Sequence, residues 1–397
     1  MPILSSPPGS SPSGYGPERL RLRAVLADRF RRGVREGWSE EVFNGLALEV
    51  FRYQVEASPV YGRFVQNRGI DPGDLEDWRE IPSVPVRAFQ EIPEGLVPAG
   101  PVEAVFRTSG TTRSTRRGEH RVRDLSLYRA SLLATASSYL RPELEDGTGA
   151  AARGGGAPLR VLALLPPPAA LPDSSLCHMA GVLHEEWDDG AGGFFADVGW
   201  SLDLVSWESA LRDASRDTVP VLVLATAFSL LGWLDRRPPG DLPRLPEGSR
   251  LMETGGYKGR SRSVPKDELY SAIESVVGIP AGRIVSEYGM TELLSQFYEP
   301  VLRDLAHRKA ARRHFVGPPW VRTRVLDPVT LAAAPAGTPG LLSHVDLANL
   351  DSIAAILTED EGIEVDGGFR VLGRIQGAEP RGCSLAIEDL LEAEGSS

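Results

Sequence analysis

From Phe89 onward, short runs of aliphatic and β-branched residues alternate with stretches that have helical spacing. This alternation is typical of an α/β fold whose sheet is at least partly parallel. The runs that predict strands are 102–107, 159–165, 219–225, 284–287 and 340–345. The apolar run from Val219 to Leu234 contains Pro220 and is too short to span a bilayer, so we expect a buried strand that leads into a helix.

The first 80 residues indicate a leader followed by helices. Residues 1–20 have neither the basic nor the apolar segment of a signal peptide, so we expect a disordered leader. Residues 21–80 show helical apolar spacing that Pro59 and Pro72 interrupt. A turn around Gly367-Gly368 and a short helix from about Ser384 to Glu394 close the sequence. We therefore expect one α/β domain over 21–372 and a tail over 373–397.

The composition excludes several classes of protein. A net charge of −11 argues against a nucleic-acid partner, because binding to phosphates requires a basic face. The two cysteines, Cys177 and Cys383, cannot form a disulfide framework, and no spacing typical of a metal site occurs. We expect a cytoplasmic protein without a membrane span.

Three segments rich in small or polar residues follow or flank predicted strands. The first is Thr108-Ser109-Gly110-Thr111-Thr112, whose amides and hydroxyls suit phosphate oxygens. It is not the P-loop of kinases, which needs a lysine, because the three lysines of the chain are Lys258, Lys266 and Lys309. The alternative is a Ser/Thr turn followed by solvated arginines.

The second and third segments are 253–262 and 286–292. In the second, Gly255 and Gly256 allow close approach to a flat ligand and Lys258 offers charge, although a tight turn with exposed cations has the same pattern. In the third, Tyr288 can stack on a base, Thr291 can bond to phosphate and Glu292 can hold Mg²⁺. An ordinary helix start after a strand is the alternative.

The three segments together resemble the phosphate loop, the nucleotide loop and the Y-G-x-T-E segment of the adenylate-forming superfamily. More narrowly, the chain is similar to the acyl-protein synthetases, of LuxE type, of bacterial luciferase operons. This likeness rests on SGTT, ETGGYKGRS, SEYGMTELLSQFY, Asp173-Ser174-Ser175-Leu176 and Arg381-Gly382-Cys383-Ser384-Leu385, and it covers about residues 40–392. It implies the large N-terminal α/β domain of the superfamily, with mixed and parallel sheets and flanking helices, and a C-terminal domain reduced to a short tail.

The resemblance also assigns residues to ATP and Mg²⁺. It implies that Asp360 binds both ribose hydroxyls and that Arg374 supports them, and it places Glu287 and Gly289 with Tyr288 in the nucleotide site. Arg113 stands where the family has glycine, which puts the geometry of the phosphate loop in doubt. The superfamily's C-terminal catalytic lysine has no counterpart, because no lysine follows Lys309. Lys258 is therefore our candidate for stabilising charge at the α-phosphate.

Cys383 matches the family's acylated cysteine. It follows Arg381 and Gly382 at the start of the predicted final helix, where the helix terminus and the guanidinium favour the thiolate. A buried structural cysteine is the alternative, and we assign that role to Cys177.

The sequence thus predicts an enzyme that activates a carboxylic acid, by resemblance a fatty acid, as an acyl-adenylate. The acyl group would pass to Cys383 and then to a partner protein such as a reductase or a carrier. One alternative keeps adenylation but uses coenzyme A, a carrier protein or an amine as acceptor. Another is a catalytically silent homologue that binds nucleotide or a partner.

Overall fold

The computed structural model describes residues 16–108, 116–144, 158–237, 241–255, 264–375 and 381–395, and for residues 381–385 it describes the backbone only. Its helices are α1 (Pro17–Arg31), α2 (Glu40–Ala57), α3 (Pro59–Asn67), α4 (Ala88–Glu91), α5 (Ser126–Leu140), α6 (Ser175–Trp187), α7 (Leu204–Asp217), α8 (Ala227–Arg236), α9 (Lys266–Val277), α10 (Val301–Ala306) and α11 (Arg381–Gly395). Within this part of the chain, no helix combines the length and the apolar character needed to cross a bilayer.

The strands form two larger sheets and a hairpin. They are β1 (Val84–Pro85), β2 (Ala104–Arg107), β3 (Glu119–Val122), β4 (Arg160–Leu164), β5 (Gly193–Phe194), β6 (Val221–Thr226), β7 (Arg250–Thr254), β8 (Ile284–Tyr288), β9 (Phe297–Tyr298), β10 (Val321–Leu326), β11 (Gly340–Asp346), β12 (Ala355–Val365) and β13 (Gly368–Arg374). The five predicted strands are all confirmed, with ends that differ by up to two residues. The mixed α/β class is confirmed with them.

The sheet that carries most of the core has the order β5-β4-β6-β7-β8-β9, and all its pairings except β8 with β9 are parallel. Its strands are apolar on both faces: in β6, Leu222 and Leu224 pack into one cluster and Val221 and Val223 into another. Helices α5 and α6 cover the first face, and α7, α8 and α9 cover the second. This double burial is typical of parallel sheets and explains the continuous apolar runs in the sequence.

The second sheet has the order β1-β12-β11-β10, and β13 pairs with β12. The predicted turn at Gly367-Gly368 is confirmed: β12 ends at Val365, Gly367 has a φ of 76°, and β13 begins at Gly368. Strand β13 runs to Arg374, so the boundary that we expected at residue 373 falls inside a strand. Strands β2 and β3 form a separate antiparallel hairpin.

The N-terminal helices pack against the C-terminal part of the chain. As Pro59 suggested, α2 ends before it and α3 begins with it, and the Ser58 side chain caps α3 by accepting from the Tyr61 amide. Helix α1 begins at Pro17, so residues 17–20 are not part of the expected leader, whose residues 1–15 lie outside the description. The reason is Arg19, which is 2% exposed and pairs with the Asp351 carboxylate.

Helix α11 docks on the helices at the start of the chain. Its Ile387 and Leu390 are buried in the main core, and Arg68 donates to Asp389 at 2.9 Å. The helix also contacts α3, β1 and α4. The helix predicted near the end of the chain is confirmed, and it starts three residues earlier than expected, at Arg381.

We predict that Asp351→Asn lowers the free energy of unfolding by about 3 kcal/mol, because Arg19 would stay buried with only the more distant Asp124 carboxylate, 3.4 Å away. The double variant Arg19→Met/Asp351→Leu should recover a large part of this loss, since no charge is then buried. Denaturant unfolding measures both.

The matched control is Asp28→Asn, which breaks an exposed ion pair with Arg32. It should leave the unfolding midpoint within experimental error of the parent, because exposed pairs contribute little. Equal losses for the buried and exposed pairs would contradict the role of Arg19.

Candidate active site

The described ends of the three predicted loops lie at or near the carboxyl ends of β2, β7 and β8. The Thr254 hydroxyl at the end of β7 donates to the Glu287 carboxyl in β8. His120, at the start of β3, has its Nδ1 atom 2.8 Å from the carbonyl oxygen of Thr291, which follows β8. In open α/β sheets the carboxyl ends of the strands form the ligand crevice. The described ends of loops 108–118, 255–264 and 289–292 are therefore near one another.

The neck of the first loop is closed by hydrogen bonds. The Thr108 amide donates to the Gly118 carbonyl at 2.9 Å, and the Gly118 amide donates to Thr108 Oγ1 at 2.9 Å. Arg117 donates to the Thr108 carbonyl at 2.6 Å and pairs with Asp173 at 3.1 Å. The remaining predicted residues of this loop lie outside the described part of the chain: Ser109, Gly110, Thr111 and Thr112.

The second loop leaves β7 at Thr254. Gly255 has a φ of 69°, in the left-handed region that favours glycine, and a Cβ built there would meet open space. The extended backbone of β7 therefore ends directly after Thr254. Gly256 and Lys258 lie outside the described residues.

Tyr288 and Asp360 are linked by a hydrogen bond between their side chains. The Tyr288 hydroxyl donates to Asp360 Oδ2 at 2.8 Å. Burial and the nearby Asp360 carboxylate raise the pKa of Tyr288, so the phenol keeps its proton. Arg374 pairs with Asp360 across β12 and β13, and its Nε lies 3.6 Å from Asp360 Oδ1. The structure thus brings together three predicted residues that are up to 86 positions apart in the sequence.

Glu287 is an unusual carboxyl because it is buried and lies directly against Gly289. It is 5% exposed, and burial raises its pKa to about 7 despite the hydrogen bond from Thr254. A Cβ at Gly289 would lie 2.4 Å from Glu287 Oε1, so a larger residue there would displace the carboxyl. Near neutral pH, the Glu287 carboxyl is therefore partly protonated and can either donate or accept a hydrogen bond.

Thr291 and Glu292 follow the glycine and are held through their backbone. Asn349 donates to the Glu292 carbonyl at 2.8 Å, which leaves the Glu292 carboxyl for other partners. Burial raises the pKa of this carboxyl to about 7. No group of three or more His, Cys, Asp or Glu suited to a metal occurs in the described residues. One carboxylate fits Mg²⁺ here, since Mg²⁺ usually takes one or two carboxylates together with substrate phosphates.

Cys383 lies in the first turn of α11, and its side chain lies outside the description. Helix α11 contacts α4, which itself adjoins the neck of the first loop. There, Gln90 Cγ is 3.3 Å from the position of a Cβ at Gly118, and Arg116 donates to the Glu91 carbonyl at 3.4 Å. Cys177, by contrast, is fully buried, and burial raises the pKa of its thiol, which confirms its place in the core.

The sequence analysis missed a buried polar cluster formed by residues of β7, β8 and α9. Glu253 is 1% exposed, and its Oε1 accepts from Tyr270 at 2.9 Å and lies 3.0 Å from Lys266 Nζ. Lys266 also donates to Ser286 Oγ at 2.6 Å. These contacts tie α9 to the ends of β7 and β8. The signal was a charged residue inside a strand, which needs a partner.

Comparisons with known proteins agree with the geometry. Residues 243–392 match the family described as "Acyl-protein synthetase, LuxE". This match agrees with the predicted resemblance and extends over 150 of the 397 residues. A long-chain-fatty-acid–luciferin-component ligase of Vibrio harveyi is 28% identical over 153 residues, which are 36% of this chain and 38% of that protein. Its namesake from Aliivibrio fischeri is 29% identical over 119 residues, 28% of this chain and 29% of that protein. The chain thus spans less than two fifths of these relatives.

The acyl-protein synthetase segment contains the second and third loops, Asp360, Arg374 and Cys383, but not the first loop. Similarity in fold extends further. A 2-hydroxyisobutyryl-CoA ligase in an open conformation with 2-HIB-AMP and CoA has a TM-score of 0.58 at 16% identity, over 84% of this chain and 74% of that one. The same ligase in its postadenylation state has a TM-score of 0.59 at 16% identity, over 85% and 68%. The chain therefore shares the fold of this ligase, and a C-terminal domain reduced to a short tail stays a prediction.

We predict that Glu287→Gln flattens the pH dependence of stability. The pKa of Glu287 is raised from 4.5 in the unfolded chain to about 7 in the fold. Its contribution is therefore fully present below pH 4.5 and is lost as the pH rises through about 7, by about 1.4 kcal/mol per pH unit at most. Gln accepts from Thr254 without ionising, so the variant should gain on the parent as the pH rises from about 5 to about 8.

Glu364→Gln is the matched control, since Glu364 is an exposed carboxylate in β12. Denaturant unfolding at several pH values should give it the slope of the parent. If Glu287→Gln also kept the parent slope, the raised pKa of Glu287 would be wrong.

Proposed function

We propose that this protein activates a carboxylic acid with MgATP as an acyl-adenylate and transfers the acyl group to its own Cys383. The observation that carries the proposal is the joining of the predicted loops: Tyr288 bonds to Asp360, Thr254 to Glu287, and Thr291 to the hairpin beside the first loop. The described residues of the second and third motifs and Asp360 therefore lie close together, and the hairpin that follows the first motif contacts the third. The match of residues 243–392 to the acyl-protein synthetases supports the same activity.

In the proposed complex the nucleotide lies over the ends of β7 and β8. Asp360, oriented by Tyr288 and Arg374, would accept from both ribose hydroxyls, because an ionised carboxylate has lone pairs for two donors. The turn at Gly255 would let the backbone approach the base. The amides and hydroxyls of residues 108–112 would surround the phosphates.

Mg²⁺ would be held by Glu292 together with phosphate oxygens, and when bound it would offset the negative charge of the triphosphate. The charge that develops at the α-phosphate needs a further cation. Lys266 pairs with Glu253 and donates to Ser286. It lies at the start of α9 and not in the second loop. We therefore keep Lys258, in the second loop, as the proposed stabiliser of that charge.

The reaction has two balanced steps. The substrate carboxylate attacks the α-phosphorus, a new P–O bond forms, and pyrophosphate leaves with the electrons of the broken P–O bond. The Cys383 thiol loses its proton to solvent, and the thiolate attacks the acyl carbon. A C–S bond forms as the acyl C–O bond breaks, and AMP leaves. Both steps depend chiefly on positioning, which rigid strand ends can provide.

The placement of Cys383 supports its role as acceptor. It lies in the first turn of α11, where unpaired amides and the helix dipole favour a thiolate. Contact of α11 with α4 brings this helix near the neck of the phosphate loop. By the family resemblance, the acyl group is fatty and passes on to a partner protein, a reductase or a carrier. We place the reaction in the cytoplasm, which supplies ATP.

Exchange of labelled pyrophosphate into ATP, measured over carboxylic acids from acetate to long-chain fatty acids, tests the first step. We expect exchange with at least one acid. Asp360→Asn should raise the KM for ATP about 10- to 100-fold, because a hydrogen bond to a charged group contributes about 1.5–3 kcal/mol. Asp366→Asn, in the exposed turn of the same hairpin, should behave like the parent. No exchange with any acid would identify a silent homologue.

The second step is tested with labelled acid and MgATP. Cys383→Ser should keep pyrophosphate exchange but lose the hydroxylamine-sensitive label on the protein, because adenylation does not need the thiol. Cys177→Ala should keep both. If Cys383→Ser formed product at the parent rate with coenzyme A or an amine, the acceptor would be that soluble molecule.

A further inference from the structure

His120 is a buried histidine that the proposed mechanism does not use. It is 1% exposed and lies in β3, paired with Phe106 of β2. Its Nδ1 atom is 2.8 Å from the Thr291 carbonyl oxygen, and its Nε2 atom is 2.8 Å from Ser352 Oγ. Both ring nitrogens are therefore engaged, one with the segment after β8 and the other with the segment before β12.

These partners determine the tautomer of the ring. A carbonyl oxygen can only accept, so Nδ1 must carry the hydrogen and Nε2 must accept from the Ser352 hydroxyl. Burial lowers the pKa of His120 to about 4, so the ring stays neutral at neutral pH. Phe89 meets the ring edge-on with the centroids 5.5 Å apart. The imidazole is thus held in one orientation and one protonation state.

The position of His120 connects two loops that are remote in the sequence. Gly118, two residues before it, closes the neck of the phosphate loop by bonding to Thr108. Thr291, its acceptor, immediately precedes Glu292, the proposed Mg²⁺ ligand. The hydrogen bond therefore helps to set the distance between the neck of the first loop, at Gly118, and the segment that would hold Mg²⁺.

The fold does not depend on this bond alone. The segment after Thr291 is also held by Asn349, which donates to the Glu292 carbonyl, and by Asp346, which accepts from the Leu294 amide at 3.0 Å and from Ser295 Oγ at 2.7 Å. Loss of the His120 bond would leave these anchors in place. Its specific effect would be on the exact position of Thr291 relative to the phosphate loop.

We propose that His120 is a positioning residue for adenylation. By donating from Nδ1 to the Thr291 carbonyl, it fixes the position of Thr291 and Glu292 relative to the neck of the first loop. This position would align the triphosphate for attack. This inference rests on the proposed function. It adds a residue, and a link between two loops, that neither the motifs nor the family match contains, since His120 lies before residue 243.

Two substitutions separate the two nitrogens of the ring. In His120→Asn the amide nitrogen can take the place of Nδ1 and donate to Thr291, whereas in His120→Gln the amide lies near the place of Nε2 and the donation to Thr291 is lost. Ser352→Ala removes the partner of Nε2 while leaving the bond to Thr291. The pair of His120 variants is matched in polarity and differs in which contact survives.

The experiment measures kcat and KM for pyrophosphate exchange in the full chain, with the best acid from the panel, together with the thermal unfolding midpoint. We expect His120→Gln to lower kcat about 100-fold at a nearly unchanged KM for the acid, since small misplacements in a site have effects of this size. His120→Asn and Ser352→Ala should retain kcat within about 10-fold of the parent.

The inference is overturned if His120→Gln retains the parent kcat, or if both His120 variants lose activity equally in step with their unfolding midpoints, because the role would then be structural. A parent protein that exchanges with no acid would be a different result. It would remove the proposed function, and the positioning role would fall with it. An active parent with an unaffected His120→Gln variant removes the inference alone.

Discussion

The central parallel sheet is buried on both faces, and this constraint decides where polar chemistry can occur. Helices cover both faces of β4, β6 and β7, so loops can meet solvent and ligands only at the strand ends. Parallel strands end at the same edge, and the residues after β7 and β8 are brought together there. Buried carboxyls at this edge, such as Glu253 and Glu287, must find donors nearby, and those donors come from α9 and from Thr254. Because both faces of the sheet are covered, its polar side chains are gathered at the strand ends and paired there.

The sequence predicted the elements whose apolar pattern is strong. Strands β4 and β6 were found because both faces are buried and their residues are almost continuously aliphatic. Strand β7 was missed because Arg250 and Glu253 interrupt it. Each is buried with a charged partner, Arg250 with Glu143 and Glu253 with Lys266. The start of α1 was predicted too far along the sequence for a similar reason. Nothing in the sequence around Arg19 shows that it is buried with the Asp351 carboxylate. Charges paired over long distances hide buried elements from pattern analysis.

The same distinction applies to the candidate site. Motif residues such as Tyr288 and Asp360 could be named from the sequence, because the resemblance links residue types to a ligand. The structure then places them in contact. The role of His120 and the pairing of Arg117 with Asp173 could not be predicted, since both depend on what the residues contact and not on a recurring spacing. Such supporting residues lie on the strands next to the loops. Their sequence pattern there is that of an ordinary hairpin.

The contact between Arg19 and Asp351 joins residues that are 332 positions apart. During synthesis on the ribosome, α1 emerges long before its carboxylate partner, and β1 likewise waits for β12. The N-terminal helices must therefore keep an incomplete apolar face until most of the chain is made, a condition in which chaperones are commonly needed. Helix α1 emerges before α2 to α11 but is among the last of these helices to reach its final environment, so late translational arrest would leave it unassembled.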